Sequence, residues 1–353
     1  MAIILNAPAL AQLKGAIERA ERIVITAHHN PDGDALGSTL GLWHTLRSMG
    51  KSAQVLLPNG FPDFLAWLPG ADTVVRYTHG AERARQMLNG ADILFCLDFN
   101  TFARAEMMSA DLAASPALKV LVDHHPSPES TFDISFSFPQ VSSTCELVYE
   151  LLAALYGPSC VGARAALCLY TGIMTDTGSF CYACNSPRTF EVAGALVATG
   201  IRVDRVQSMV YNNFSVSRMR MIGHSLLNKM VVLRRKTAYI ALTMEEQEQF
   251  AHRVGDTEGL VNLPLSMKGV AFAALFVQRP DFVKVSLRSR GDFPVNEFAA
   301  KHFNGGGHTN AAGGKSFRPL AETLALFEQQ VEQIDDPRLL DFKNVYVGLN
   351  DAL

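Results

Sequence analysis

The stretch VITAHHNPDGDALGSTLGLW, Val24 to Trp43, joins the end of an apolar strand to the start of a helix through a loop holding His28, His29, Asp32 and Asp34. Pro31 and Gly33 break that loop, so it is a poor way to fill a core. Buried carboxylates are costly unless they are paired or bound to a metal, and imidazoles beside them point the same way. On one side RIVITA reads as a strand ending near Ala27; on the other ALGSTLGLWHTLRSMG reads as a helix closed by Gly50. The alternation continues outward. SAQVLL near Leu57, DILFCLD ending at Asp98 and LKVLVD ending at Asp123 are further strands, and TCELVYELLAALYG is a helix closed by Gly157. Near-continuous apolar strands with intervening helices predict an α/β fold, a mostly parallel sheet with helices on both faces. His28, Asp98 and the trio Asp123, His124 and His125 all fall at C-terminal strand ends, where open α/β sheets gather ligands.

The whole chain sets the bounds. At 353 residues, 48% hydrophobic and 18% charged, it has an ordinary globular composition and room for two cores. With 31 Lys and Arg against 34 Asp and Glu it lacks the basic excess that long, non-specific duplex binding requires, while a short anionic ligand could still use a local cluster. The opening residues show no basic n-region and pass into an amphipathic helix with Leu10, Leu13 and Ile17 in phase, so no signal peptide is read. The longest apolar run, GVAFAALFVQ, stops at Arg279 and Pro280, short of a bilayer span. A cytoplasmic protein with no membrane partner is expected. Of six cysteines only Cys181 and Cys184 form a CxxC pair, and small thiols in a reducing compartment are the simpler reading.

Organisation changes past residue 200. A helical segment with interspersed polar residues, 201–230, is expected to link a first domain, 1–200, to a second, 231–353. The second begins strand (TAYIALT) then helix, and continues with paired strands GVAFAALFVQ and DFVKVSLRS joined by a turn at Arg279 to Asp281. A helix and the Gly-rich NGGGHTNAAGG follow, so a smaller C-terminal α+β domain is predicted.

Four pieces bear chemistry: HHNPDGD, Asp98, Asp123 to His125, and Asp176 in TGIMTDTGS. Each has an ordinary explanation alone, as a helix cap, an Asx turn or a satisfied core histidine. Together, at strand ends or beside Gly-containing turns of one domain, they exceed what capping needs. Mixed imidazole and carboxylate donors suit a dinuclear Mn2+ site better than Mg2+ alone.

In this order HHNPDGD, LD, VDHH and TDTG resemble the DHH phosphoesterases, and GGGHTNAAGG resembles the DHH-associated domain that follows them. Within that family the arrangement is similar to the bacterial group acting as oligoribonuclease (nanoRNase) and 3'-phosphoadenosine-5'-phosphate (pAp) phosphatase. The resemblance implies two divalent cations, Mn2+ in the first place with Mg2+ or Co2+ as substitutes. His28, Asp32 and Asp98 would hold one, and Asp34, Asp98, His124 and Asp176 the other, with Asp98 bridging. Gly33 is expected to permit a sharp turn that aims Asp32 and Asp34 at different ions. Asp98 and His125 are the catalytic candidates, His125 either bonding the phosphate or leaving oxygen or only orienting a ligand. Asp123 is read as supporting and His29 as the intervening residue. Ser143 and Glu146 fit a capping box, yet the same helix start, with Ser142 beside it, could receive phosphate.

In the second domain Arg288, Gly305, Gly306, Gly307 and His308 are implied as substrate-binding, the glycines by close backbone approach and by a helix starting there. Phe180, Tyr182 and Phe303 flank these segments, but such residues are more often core. An active site in the cleft between the domains would favour short single-stranded RNA and small nucleotides such as pAp, hydrolysed by two-metal attack. The runner-up is a phosphodiesterase for cyclic dinucleotides or linear ones such as pApA. A catalytically silent nucleotide-binding protein comes last, because every ligand position holds a competent residue. The sequence leaves a homodimer open.

Overall fold

Alternation within each strand builds the first sheet. Ile23 and Ile25 point to one buried cluster while Val24 points to another; likewise Ile93, Phe95 and Leu97 oppose Leu94 and Cys96, and Val120 and Val122 oppose Leu121. A sheet buried on both faces follows, and it is all parallel: β1 (Ile23–Thr26), β2 (Ala53–Leu57), β3 (Val75–Arg76), β4 (Ile93–Leu97), β5 (Leu118–Asp123) and β6 (Ile134–Ser137), in the order β3-β2-β1-β4-β5-β6. The order changes direction between β1 and β4, which is where an open parallel sheet leaves a crevice at its C-terminal edge. His28 follows β1 and Asp98 follows β4. The fold comes from a computed structural model that describes residues 5–182, 184–253 and 255–340.

The helices of this part are α1 (Ala7–Arg19), α2 (Gly33–Ser48), α3 (Ala81–Asn89), α4 (Ser109–Ala114), α5 (Thr144–Tyr156), α6 (Ala163–Asp176), α7 (Pro187–Val197) and α8 (Val203–Tyr211). Gly50 and Gly157 end α2 and α5 with φ of +79° and +82°, a conformation that glycine adopts without strain. Gly33 differs from expectation. It is the first residue of α2 and has no positive φ; a Cβ there would lie 2.2 Å from Thr175 Oγ1 of α6. Its role is close approach rather than a turn. Gly37 and Gly41 continue the stripe at four-residue spacing, where a Cβ would meet the Cys168 carbonyl at 2.6 Å and the Leu169 side chain at 2.5 Å.

The chain divides between Asn213 and Phe214 into two units, each with its own core. Of the helical segment expected as a linker, α8 sends Val206 and Val210 into the first core, whereas α9 (Val216–His224) sends Met221 into the second.

The second unit is built on β7 (Met230–Val232), β8 (Thr237–Leu242), β9 (Phe272–Gln278), β10 (Val283–Ser289), β11 (Gly306–His308) and β12 (Ala311–Ser316), ordered β11-β12-β10-β9-β8-β7. Only the β8/β9 pairing is parallel. Helices α10 (Met244–Gln249), α11 (Val295–His302) and α12 (Leu320–Glu332) complete it as an α+β unit. Phe272, Phe276, Phe298, Phe303 and Phe327 form its aromatic core, so Phe303 is structural. The expected helix after the triple glycine is corrected to a hairpin. A Cβ on Gly305 would lie 2.0 Å from the Gly313 carbonyl and one on Gly307 2.5 Å from the Ala311 carbonyl, so the glycines serve strand pairing. All six cysteines are free thiols, and among the described residues no helix is long and apolar enough to cross a membrane.

Candidate metal centre

The site grows from the ends of β1, β4 and β5 and the termini of three helices. Asp32 is the N-cap of α2: its Oδ1 accepts from the N–H groups of Asp34 and Ala35 at 3.0 and 3.1 Å. Two residues on, Asp34 turns inward and is buried. The N-terminus of α5 receives it, the Thr144 and Cys145 N–H groups donating to Oδ2 and Oδ1 at 2.7 and 2.8 Å. A helix N-terminus favours an anion, so this carboxylate is fixed in the position that a phosphate was expected to share. Ser143 caps α5 by accepting from the Glu146 N–H at 3.1 Å, but the Glu146 carboxylate turns to Ser142 and Thr189. The capping box is therefore only half present.

Asp98 lies between the strand ends with φ +61°, a strained conformation for a residue with a side chain. Its N–H donates to the Val122 carbonyl at 3.2 Å and Thr144 Oγ1 donates to its Oδ1 at 3.0 Å. The two carboxylate oxygens face different histidines: Oδ2 is 3.4 Å from His28 Nε2 and Oδ1 is 3.6 Å from His124 Nε2. His28 Nε2 also lies 3.9 Å from Asp32 Oδ1, and His124 Nε2 lies 3.8 Å from Asp34 Oδ2 and 3.6 Å from Asp176 Oδ2. His28, Asp32 and Asp98 thus offer donor atoms within 4.8 Å of one another, as do Asp34, His124 and Asp176. Nδ1 of His28 donates to the His29 carbonyl at 2.9 Å, so Nε2 is the nitrogen turned to the carboxylates, where it shares with Asp98 a proton that a cation would displace.

Electrostatics of the metal-free cluster describe protons standing where cations fit. Burial opposes the charged form of His124, but Asp176, Asp34, Asp98 and Asp123 overcome it and raise its pKa to about 9. Burial, then Asp98 and Asp176, push Asp34 well above the carboxylate range. Burial alone would raise Asp98 as well; the His28 hydrogen bond and the charges of His125, His28 and His124 instead hold it well below. Carboxylates and imidazoles at such spacing, buried save for the half-buried Asp32 and the exposed Asp176, with one carboxylate reaching both sets, fit two divalent cations and the mixed N/O ligation of Mn2+, Zn2+ or Co2+.

His125 stands apart from the two sets. Its Nδ1 is 2.7 Å from Asp123 Oδ1 and 3.7 Å from Asp98 Oδ1. Burial and then Arg104 keep it neutral, with a pKa well below 6.5, while burial and then Asp98 raise Asp123 to about 7. The contact with Asp123 engages Nδ1 and leaves Nε2 as the ring nitrogen available to meet a phosphate oxygen. His29 is tied elsewhere, with its Nδ1 3.3 Å from Glu106 Oε2. In the second unit Arg288 lies on β10 with Nη1 donating to the Leu287 carbonyl at 2.9 Å, and His308 ends β11 opposite Ala311. Sequence reasoning missed Thr144, the backbone clamp on Asp34, and Arg104; only the helix start at Ser143 carried any signal for the first two.

Two family descriptions match the chain: DHH family, N-terminal domain, over residues 22–173, and DHHA1 domain over residues 237–334. The bifunctional oligoribonuclease and PAP phosphatase NrnA of Bacillus subtilis is 25% identical over 87% of this chain and 93% of its own. The cyclic-di-AMP phosphodiesterase GdpP of the same organism is 27% identical over 91% of this chain but 49% of its own. A solved structure of an exopolyphosphatase-related protein from Bacteroides fragilis is 42% identical and superposes with a TM-score of 0.91 over 97% of this chain and all of the other.

Proposed function

The chain belongs to the DHH family, and on that footing we propose that it hydrolyses short oligoribonucleotides to mononucleotides and removes the 3'-phosphate of pAp. The observation that carries this reading is Asp98, whose two oxygens face His28 and His124 at 3.4 and 3.6 Å and so join the two donor sets. Similarity to NrnA over nearly the full length of both chains favours this substrate class.

His28, Asp32 and Asp98 would hold one cation, and Asp34, Asp98, His124 and Asp176 the second, with Mn2+ preferred for its tolerance of mixed donors. When bound, two such cations acidify an attacking water and neutralise charge on the phosphoryl oxygens. The protein's own part is preorganisation. The α5 N-terminus fixes Asp34, Thr144 fixes Asp98, and the His29 carbonyl orients His28, so these three need not reorganise as charge develops. His125, oriented by Asp123, offers Nε2 to a phosphate or leaving oxygen. Arg288, Gly305, Gly306, Gly307 and His308 are proposed to bind the remainder of the substrate, in a cytoplasmic enzyme.

The test is a panel of pAp, a short 5'-labelled RNA, linear and cyclic di-AMP and pyrophosphate, incubated with the protein and Mn2+. Mononucleotides from RNA together with phosphate from pAp are expected. Preference for cyclic di-AMP would instead favour the second reading, which the similarity to GdpP supports, and silence on every substrate would revive a binding protein. His308→Ala is expected to impair RNA turnover while leaving Mn2+ stoichiometry intact; loss of the metal would refute this division of labour.

A further inference from the structure

Arg104 holds a position that the scheme above leaves unused. It lies six residues past Asp98, on the 3-10 turn Phe102–Met108. Its N–H donates to the Thr101 carbonyl at 3.1 Å, and its carbonyl accepts from the His29 N–H at 2.8 Å. The second bond stitches this turn to the loop that bears His28 and Asp32. His29 adds a side-chain tie to Glu106, where the turn kinks through φ +46°. The turn is therefore registered against the metal ligands at two points.

Its side chain has no such ties. Nη1 is buried with no hydrogen-bond acceptor among the described residues. A buried guanidinium donor normally finds a partner, and a purely structural arginine would find it in the protein. The backbone bond to His29 sets Arg104 beside the loop that carries His28 and Asp32, on one side of the centre. His28 and His125 flank Asp98 there, at 3.4 and 3.7 Å from its oxygens.

We infer that Arg104 donates to a non-bridging oxygen of the phosphoryl group under attack, an inference that rests on the phosphoester reading above. The partner missing from the protein then arrives with the substrate. A planar fork of N–H donors matches a phosphate, and negative charge on its oxygens must be neutralised in the transition state.

Wild-type protein, Arg104→Ala, Arg104→Gln and Arg104→Lys decide the matter through melting, Mn2+ titration calorimetry, kinetics on pAp, and the affinity for inorganic phosphate with Mn2+ present. Arg104→Ala is expected to melt with wild type and to bind the same number of Mn2+ ions. Its kcat/KM should fall about 10²- to 10³-fold, chiefly in kcat, as for loss of one transition-state donor. Phosphate affinity should drop in Ala and Gln and return in part in Lys. Unchanged kcat and phosphate affinity in folded Ala or Gln overturns the inference, as does a loss of activity that merely tracks lost Mn2+. If Ala does not fold, Gln carries the comparison; if no variant folds, Arg104 is structural and the inference fails. Wild-type protein that binds phosphate through Arg104 yet cleaves neither pAp nor short RNA would overturn the substrate reading while leaving this one intact.

Discussion

Asp98 concentrates the proposed chemistry of the candidate site in one residue. Its left-handed backbone, φ +61°, costs about 1 kcal/mol or more for most side chains but less for Asp and Asn, which tolerate that region. Asp98→Asn therefore separates function from strain better than Asp98→Ala. The Asn variant should fold, bind fewer than two Mn2+ per chain and lose hydrolysis to below detection. Near-normal turnover with two ions bound would defeat the bridging assignment. Its histidine partners were legible in the sequence, since His28 and His124 both stand just past strand ends. Thr144 Oγ1, its hydrogen-bond donor, was not, because a threonine that starts a helix looks the same whether or not it faces a carboxylate 46 residues away.

At the scale of elements, the contact between α2 and α6 sets the distance between the carboxylates at their ends. Asp34 opens α2 and Asp176 closes α6, and both stand beside His124 Nε2, at 3.8 and 3.6 Å. The small stripe Gly33, Gly37 and Gly41 allows that approach, with Gly172 answering from α6, where a Cβ would lie 3.1 Å from Asp34 Cα of α2 and 2.2 Å from Cys145 Sγ of α5. Gly37→Ala places a methyl 2.6 Å from the Cys168 carbonyl, backbone that cannot swing aside. It should cost about 1–3 kcal/mol in urea unfolding and weaken Mn2+ binding as the helices part. Gly194→Ala in α7 is the control: nothing lies within 4 Å of its added Cβ, so helix propensity should stabilise by up to about 1 kcal/mol. Equal stability of Gly37→Ala and wild type would show that the stripe is not under steric demand. The sequence displayed these glycines but not their purpose, since the same spacing serves a turn, a cap or a crossing.

Across the whole molecule, a net charge of −3 hides a local excess of carboxylates at the candidate metal centre, and pH exposes it. His124 has a folded pKa of about 9 against 6.5 for an ordinary histidine. A raised pKa means that the folded state binds the extra proton, so the stabilisation is full below about 6.5 and is lost as pH rises toward 9. Asp123, at about 7, loses its contribution earlier with the same sign, while the lowered His125 works in the opposite direction only below 6.5. Between pH 7 and 9 metal-free protein should therefore lose on the order of 1–3 kcal/mol, read as a falling melting temperature. Mn2+ should reverse the trend, because binding releases protons and tightens as pH rises. A flat metal-free profile over that window would show that His124 is not held protonated by its neighbours.

Strand periodicity, glycine stops and the placement of His and Asp at strand ends determined the α/β class and the two-part organisation and marked the candidate metal donors, because these depend on local pattern and chain order. Tertiary structure alone decided which oxygen faces which histidine, that an α5 N-terminus clamps Asp34, that Gly33 yields to Thr175 instead of forming a turn, and that the triple glycine pairs as a strand. Arg104 belongs with these. Each depends on atoms brought together from distant segments, and a hydrogen bond or a steric limit between such atoms leaves no periodic trace in the chain.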